Sequence, residues 1–177
     1  MPSGKTHDAI TLLLTAPVSA AAYVLTGEIA AAVLIAVTFL FGGLMFGPDL
    51  DTVSRQYSRW GPFKFLWVPY RKFFSHRSRW SHGLIFGTLF RVIYFMGVLT
   101  LTSFLGAYLG ATYLGGDLPR LDEAANVWQT AGEWFRSTLG QTAPYIAFGG
   151  FWLGAASHTL TDMAGSYVKT GRIGEFL

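Results

Sequence analysis

Long apolar runs separate short polar clusters along this chain, and every histidine lies in one of those clusters. The runs cover residues 9–26, 29–46, 82–114 and 144–166. A helix needs ~20 residues to cross a bilayer, and backbone facing lipid must satisfy its own hydrogen bonds. The pattern therefore predicts an all-α fold: an integral membrane four-helix bundle forming one domain over residues 1–177. Composition agrees, with 51% hydrophobic and 13% charged residues, where a soluble domain carries about 25% charge. The first run is the weakest, being broken by Thr11, Thr15, Pro17 and Ser19. The third would be roughly 50 Å long as one helix, so it must tilt, overshoot the bilayer or break near Gly97, Gly106 or Gly110.

Between the second and third runs, residues 52–81 are basic and aromatic. Arg55, Arg59, Lys64, Arg71, Lys72, Arg77 and Arg79 alternate with Tyr57, Trp60, Phe63, Phe65, Trp67, Tyr70, Phe73, Phe74 and Trp80. Such a mixture suits the headgroup layer, so a loop anchored on anionic lipid is expected rather than a nucleic-acid surface. Between the third and fourth runs, Leu118, Leu121, Ala125, Trp128, Phe135 and Leu139 recur at mostly helical spacing. They predict an amphipathic interfacial helix on the opposite membrane face. Counting spans puts Lys5, the seven basic residues of 52–81, Lys169 and Arg172 on one side, against Arg120 and Arg136 on the other. The richer side is the cytoplasmic one, which places both termini there. The Asp at position 8 and the second apolar run close behind argue against a cleaved signal peptide, so the N-terminus is expected to be kept.

On that topology the polar clusters converge. His7 and Asp8 precede the first span, Asp49 and Asp51 follow the second, and His76 and His82 open the third. His158 and Asp162 lie in the last span, four residues apart and so on one helix face. Ionisable groups inside a span are costly and functional by default. All eight are candidate ligands of one or two divalent cations. With no cysteine in the chain, the donors are nitrogen and oxygen, which suits zinc first, with manganese or ferrous iron as alternatives. Asp8 or Asp51 could serve as general base. Arg77 and Arg79 could clamp a phosphate or anchor on lipid. Arg91, nine residues beyond His82, should face away from the cluster on a regular helix.

Residues 1–8, 41–51, 76–82 and 158–162 resemble the membrane-bound metal-binding proteins common in cyanobacteria. Their Asp-Leu-Asp, His…Ser-His and His-x-x-x-Asp pattern also resembles the YdjM-like inner-membrane metal-dependent hydrolases. More remotely it resembles the all-helical zinc-dependent phospholipase C and single-strand nuclease superfamily, which has more ligand histidines than the four here. The resemblance covers the chain except residues 115–143. It implies a bacterial plasma or thylakoid membrane protein, and a metal-dependent hydrolysis of a phosphoester at the cytoplasmic headgroup layer. The alternative is a metal-binding scaffold or assembly subunit, docked in a membrane protein complex. Metal transport fits less well, because its ligands would lie near the midplane.

Overall fold

The computed structural model describes residues 3–75, 78–84 and 86–171, giving only the backbone of Arg79, Leu121 and Thr170. Among them the regular structure is helical: α1 (Gly4–Thr26), α2 (Ile29–Leu44), α3 (Arg55–Arg59), α4 (Val68–Phe73), α5 (Arg79–His82), α6 (Phe86–Leu114), α7 (Leu121–Leu139) and α8 (Ala143–Thr170), with 3₁₀ turns at Pro48–Asp51 and Gly61–Trp67. The chain forms two compact units, one of residues 1–91 with 145–177 and one of residues 92–144.

Three segments are long and apolar enough to cross a membrane: Gly4–Thr26, Ile29–Asp51 and Phe86–Leu114. The fourth expected span corresponds to α8, which is 28 residues long but is not among these three. Its inner face carries Ser157, His158, Thr159 and Asp162, all buried, and these lower its mean hydropathy. The third expected span is also shorter than the run that predicted it. α5 ends at His82, residues 83–84 lie outside any helix, and α6 begins at Phe86.

In the first unit, Ser3 caps α1 by accepting from the Thr6 amide at 3.2 Å. Gly27 ends the helix in the left-handed region (φ 71°), a conformation glycine adopts without steric cost. The turn is so short that α2 must return alongside α1. The Ser19 hydroxyl donates to the Ala32 carbonyl at 2.9 Å across that hairpin. α8 crosses α2 at backbone contact distance. A Cβ on Gly154 would collide with the Phe39 carbonyl, and one on Gly150 with the Thr38 hydroxyl; from the other side, one on Gly42 would meet the Phe151 carbonyl at 2.5 Å. Small residues four apart permit this approach between apolar helices, where packing rather than hydrophobicity drives association. The crossing lies one turn before His158.

The basic, aromatic stretch is not a loop. Its short helices turn Trp67 and Tyr70 fully inward, both 0% exposed. Trp67 packs edge-on against Phe46 at 5.4 Å and Trp60 at 5.2 Å between ring centroids, and Arg71 lies over the Tyr57 ring at 4.5 Å. Phe63, Phe65, Phe73 and Trp80 remain on the outside. The second unit pairs the later part of α6 with α7, whose acidic first turn holds Asp122 and Glu123. The Trp128 indole donates to Thr100 at 2.8 Å.

The close crossing has a direct test. Gly154→Ala should destabilise the detergent-purified protein by about 1–3 kcal/mol through overpacking. Gly149→Ala, where a Cβ meets nothing within 4 Å, should be neutral or stabilise by up to about 1 kcal/mol. Thermal unfolding of both variants, followed by circular dichroism, measures the contrast.

Candidate metal centre

The helices of the first unit bring five of the eight expected ligands together. α1 supplies His7 from its first turn, the 3₁₀ turn after α2 supplies Asp49, α5 ends on His82, and α8 supplies His158 and Asp162. His7, His158 and Asp162 each offer one ligand atom within 4.8 Å of the others, and all three are buried. His7 Nε2 lies 3.2 Å from Asp162 Oδ1 and His158 Nε2 lies 3.7 Å from Asp162 Oδ2. The second pair is too far apart for a hydrogen bond and the first is not aligned for one. Both Asp162 oxygens and His158 Nε2 are buried without a hydrogen-bond partner. Leaving such groups unpaired costs about 1–3 kcal/mol each, more when charged, and native interiors rarely tolerate it. Donors about 2.0–2.1 Å from one ion in tetrahedral geometry lie about 3.3 Å apart, close to the separations seen here. A divalent ion therefore fits the orphaned atoms and the donor chemistry. The His7 and His158 rings stack at 3.7 Å with planes 7° apart. Parallel rings keep their lone pairs in parallel planes, so sharing an ion requires them to splay.

Asp49 links this trio to His82. Its Oδ2 is 3.4 Å from His158 Nε2 and its Oδ1 is 3.5 Å from His82 Nε2. Its side chain is 24% exposed, against 7% or less for His7, His82, His158 and Asp162. The cluster thus opens at Asp49.

Two expected ligands play other parts. The Asp8 carboxylate is held by Arg59 at 2.6 Å and Arg55 at 2.8 Å, and Arg59 also donates to the Leu44 carbonyl at 2.7 Å. This pairing clamps the start of α1, next to His7, onto α3 and the end of α2, where a general base would need a free carboxylate. Asp51 lies one position behind the front of the cluster. Its Oδ2 accepts from Ser81 at 2.8 Å and sits 3.2 Å from His82 Nδ1. A carboxylate behind a histidine fixes the ring and raises its basicity as a ligand. His76 and Arg77 lie outside the described residues, as does the Arg79 side chain.

Two residues were missed by sequence reasoning. Arg91 is fully buried and donates to the Ser81 carbonyl at 2.5 Å and to Thr88 at 3.0 Å. Its charge is felt at Tyr70, Asp51 and Asp49. The expectation that it faces away assumed one helix from His82 onward; the break at 83–84 invalidates that count. Gln56, on α3, is buried and donates to the Gly43 carbonyl at 2.7 Å. It accepts from the Asp49 amide at 3.2 Å, and its amide nitrogen is 3.2 Å from His158 Nδ1. Gly47 makes room for it, since a Cβ there would strike the amide. No sequence motif announces such a residue.

Burial pulls the His82 pKa down, but Asp49 and Asp51 outweigh it, so it stands above the usual 6.5. In the metal-free protein the stability this adds is fully present below the unfolded value of about 6.5 and is lost as pH rises through the folded one. A cation on His82 displaces that proton, so binding that engages this ring should tighten as pH rises.

The chain matches, over residues 2–172, the model of a family described as "Uncharacterized metal-binding protein (DUF2227)". Neither a curated protein nor a solved structure matches it.

Replacing Gln56 with leucine frees the turn that carries Asp49 and should weaken divalent-cation binding about 10–100-fold, the usual cost of losing a residue that positions a ligand. Equilibrium dialysis with zinc checks it. The same assay on the native protein at pH 6 and pH 8 should show tighter binding at the higher value, because a histidine must be neutral to act as a ligand.

Proposed function

The chain belongs to this family of metal-binding proteins, and from that premise we propose that the cluster holds a divalent cation used to hydrolyse a phosphoester at the membrane surface. The observation that carries this reading is the opening at Asp49, the most exposed of the five clustered side chains. A purely structural site is closed, whereas a catalytic one keeps a reachable position. His7, His158 and Asp162 would hold the ion, with Asp49 at its accessible side. Zinc is the first choice for such nitrogen and oxygen donors, with manganese or iron as alternatives. When bound, the cation would acidify a water and polarise a phosphoryl oxygen.

The residues around the cation have separate tasks. Gln56 braces the turn that carries Asp49, and Asp51 orients His82. Asp8, with Arg55 and Arg59, holds His7 in register. Arg77 and Arg79, just before His82 in the chain, are proposed to draw the anionic phosphoester toward the site by long-range attraction. The resemblance of the Asp49-Leu50-Asp51 and His158–Asp162 pattern to inner-membrane hydrolases supports the same chemistry.

The three apolar segments are compatible with a membrane protein. We place the cluster at the cytoplasmic face, on the lysine and arginine asymmetry. The exposed Phe63, Phe65, Phe73 and Trp80, beside exposed Lys64 and Lys72, would rest on anionic headgroups.

Purified protein should release phosphate or a phosphorylated headgroup from a panel of lipid phosphoesters. Asp162→Ala should lower metal content below half an equivalent by plasma mass spectrometry and reduce turnover at least about 100-fold. Undiminished turnover in that variant would sink the reading.

A further inference from the structure

We propose that a second divalent cation enters between Asp49 and His82, and does so only in company with an oxyanion of the phosphate class. This rests on the reading of the first cation at His7, His158 and Asp162.

The position follows from the two faces of one carboxylate. Asp49 Oδ2 faces His158 Nε2 at 3.4 Å, while Oδ1 faces His82 Nε2 at 3.5 Å. The His82 ring cannot readily turn away, because Asp51 lies 3.2 Å from Nδ1 and is itself tied to Ser81 at 2.8 Å. Asp49 is thus placed as a bridge, in the manner of sites that clamp a phosphoryl group between two cations.

The condition follows from charge. Among the described residues, the buried cluster contains three carboxylates, Asp49, Asp51 and Asp162, and one guanidinium, Arg91, within electrostatic reach of Asp49 and Asp51. Asp8 does not count, since Arg55 and Arg59 compensate it. With the histidines neutral, as ligands must be, two negative charges remain. One divalent cation cancels them. A second alone would leave two positive charges in a pocket whose other ligands are almost sealed from water, and uncompensated buried charge is strongly disfavoured. An oxyanion carrying two charges restores neutrality and enters where Asp49 is exposed. Coupling of this kind is reciprocal: phosphate should bind tighter when the cation is in excess.

The test measures manganese per chain by plasma mass spectrometry after dialysis, in phospholipid-free detergent. Three arms hold no anion, orthophosphate, or a short-chain phosphatidic acid. One equivalent without anion and two with it is expected, with at least a tenfold gain in second-ion affinity and spin coupling between the ions by electron paramagnetic resonance. A gain with orthophosphate would identify free phosphate as sufficient; a gain with the lipid alone would assign the anion to a headgroup. Two equivalents without anion, or one in every arm, would overturn the inference while leaving the first site standing. No bound manganese, in a protein that also binds no zinc, would remove the reading beneath it. His82→Gln should keep the first equivalent, which reports an intact fold, and lose the second. Arg91→Gln, one positive charge poorer, should bind the second cation more tightly than the native protein in the arm without anion.

Discussion

Charge buried without water is the constraint on which the first unit depends. Asp51 and Asp162 are 5% and 1% exposed, and a carboxylate in that setting must be paired, protonated or bound to a cation. Asp51 has Ser81 and His82 at hand. Asp162 faces two histidine nitrogens, His7 Nε2 at 3.2 Å and His158 Nε2 at 3.7 Å. A divalent cation shared with those nitrogens would pair both carboxylate oxygens while they stay ionised. The family to which the chain belongs carries the same implication independently of the geometry.

The rest of the unit delivers these groups to one point. The tight turn at Gly27 returns α2 beside α1. The glycines at 42, 150 and 154 let α8 approach the α2 backbone, which brings His158 and Asp162 to the end of α2 where Asp49 emerges. The aromatic packing of Phe46, Trp60 and Trp67 seats α3 against that same end, and α3 presents Gln56 to His158 and Arg59 to Asp8. Each candidate ligand thus depends on a backbone contact some distance from the cluster. This explains why a glycine in the crossing and a glutamine with no metal-binding chemistry bear on one site.

Much of the site was legible because polar residues stand out against apolar runs. His7, Asp49, His82, His158 and Asp162 were marked by their place at the ends of runs or within one, and the helical period joined the last two. Asp8 and Asp51 were marked by the same signal but perform different tasks. Adjacency in sequence does not reveal whether a carboxylate meets a metal, an arginine or a histidine's far nitrogen. Arg91 was misplaced because its position relative to His82 depends on a helix break that hydropathy does not register. The aromatic stretch has the composition of a surface loop, and composition cannot separate Trp67, facing inward, from Phe73, facing outward.

The sequence by itself determined that the chain is helical, rich in segments able to cross a membrane, and bound to gather nitrogen and oxygen donors without sulfur. Those properties follow from the length of apolar runs and the absence of cysteine, both independent of conformation. Only the tertiary structure decided which donors meet, which carboxylates are diverted to arginine or histidine, and that Arg91 and Gln56 belong to the cluster. Those outcomes rest on distances of 2.5–3.7 Å between groups as far apart as residues 7 and 162. Helix crossings and breaks set such distances, not the order of residues along the chain.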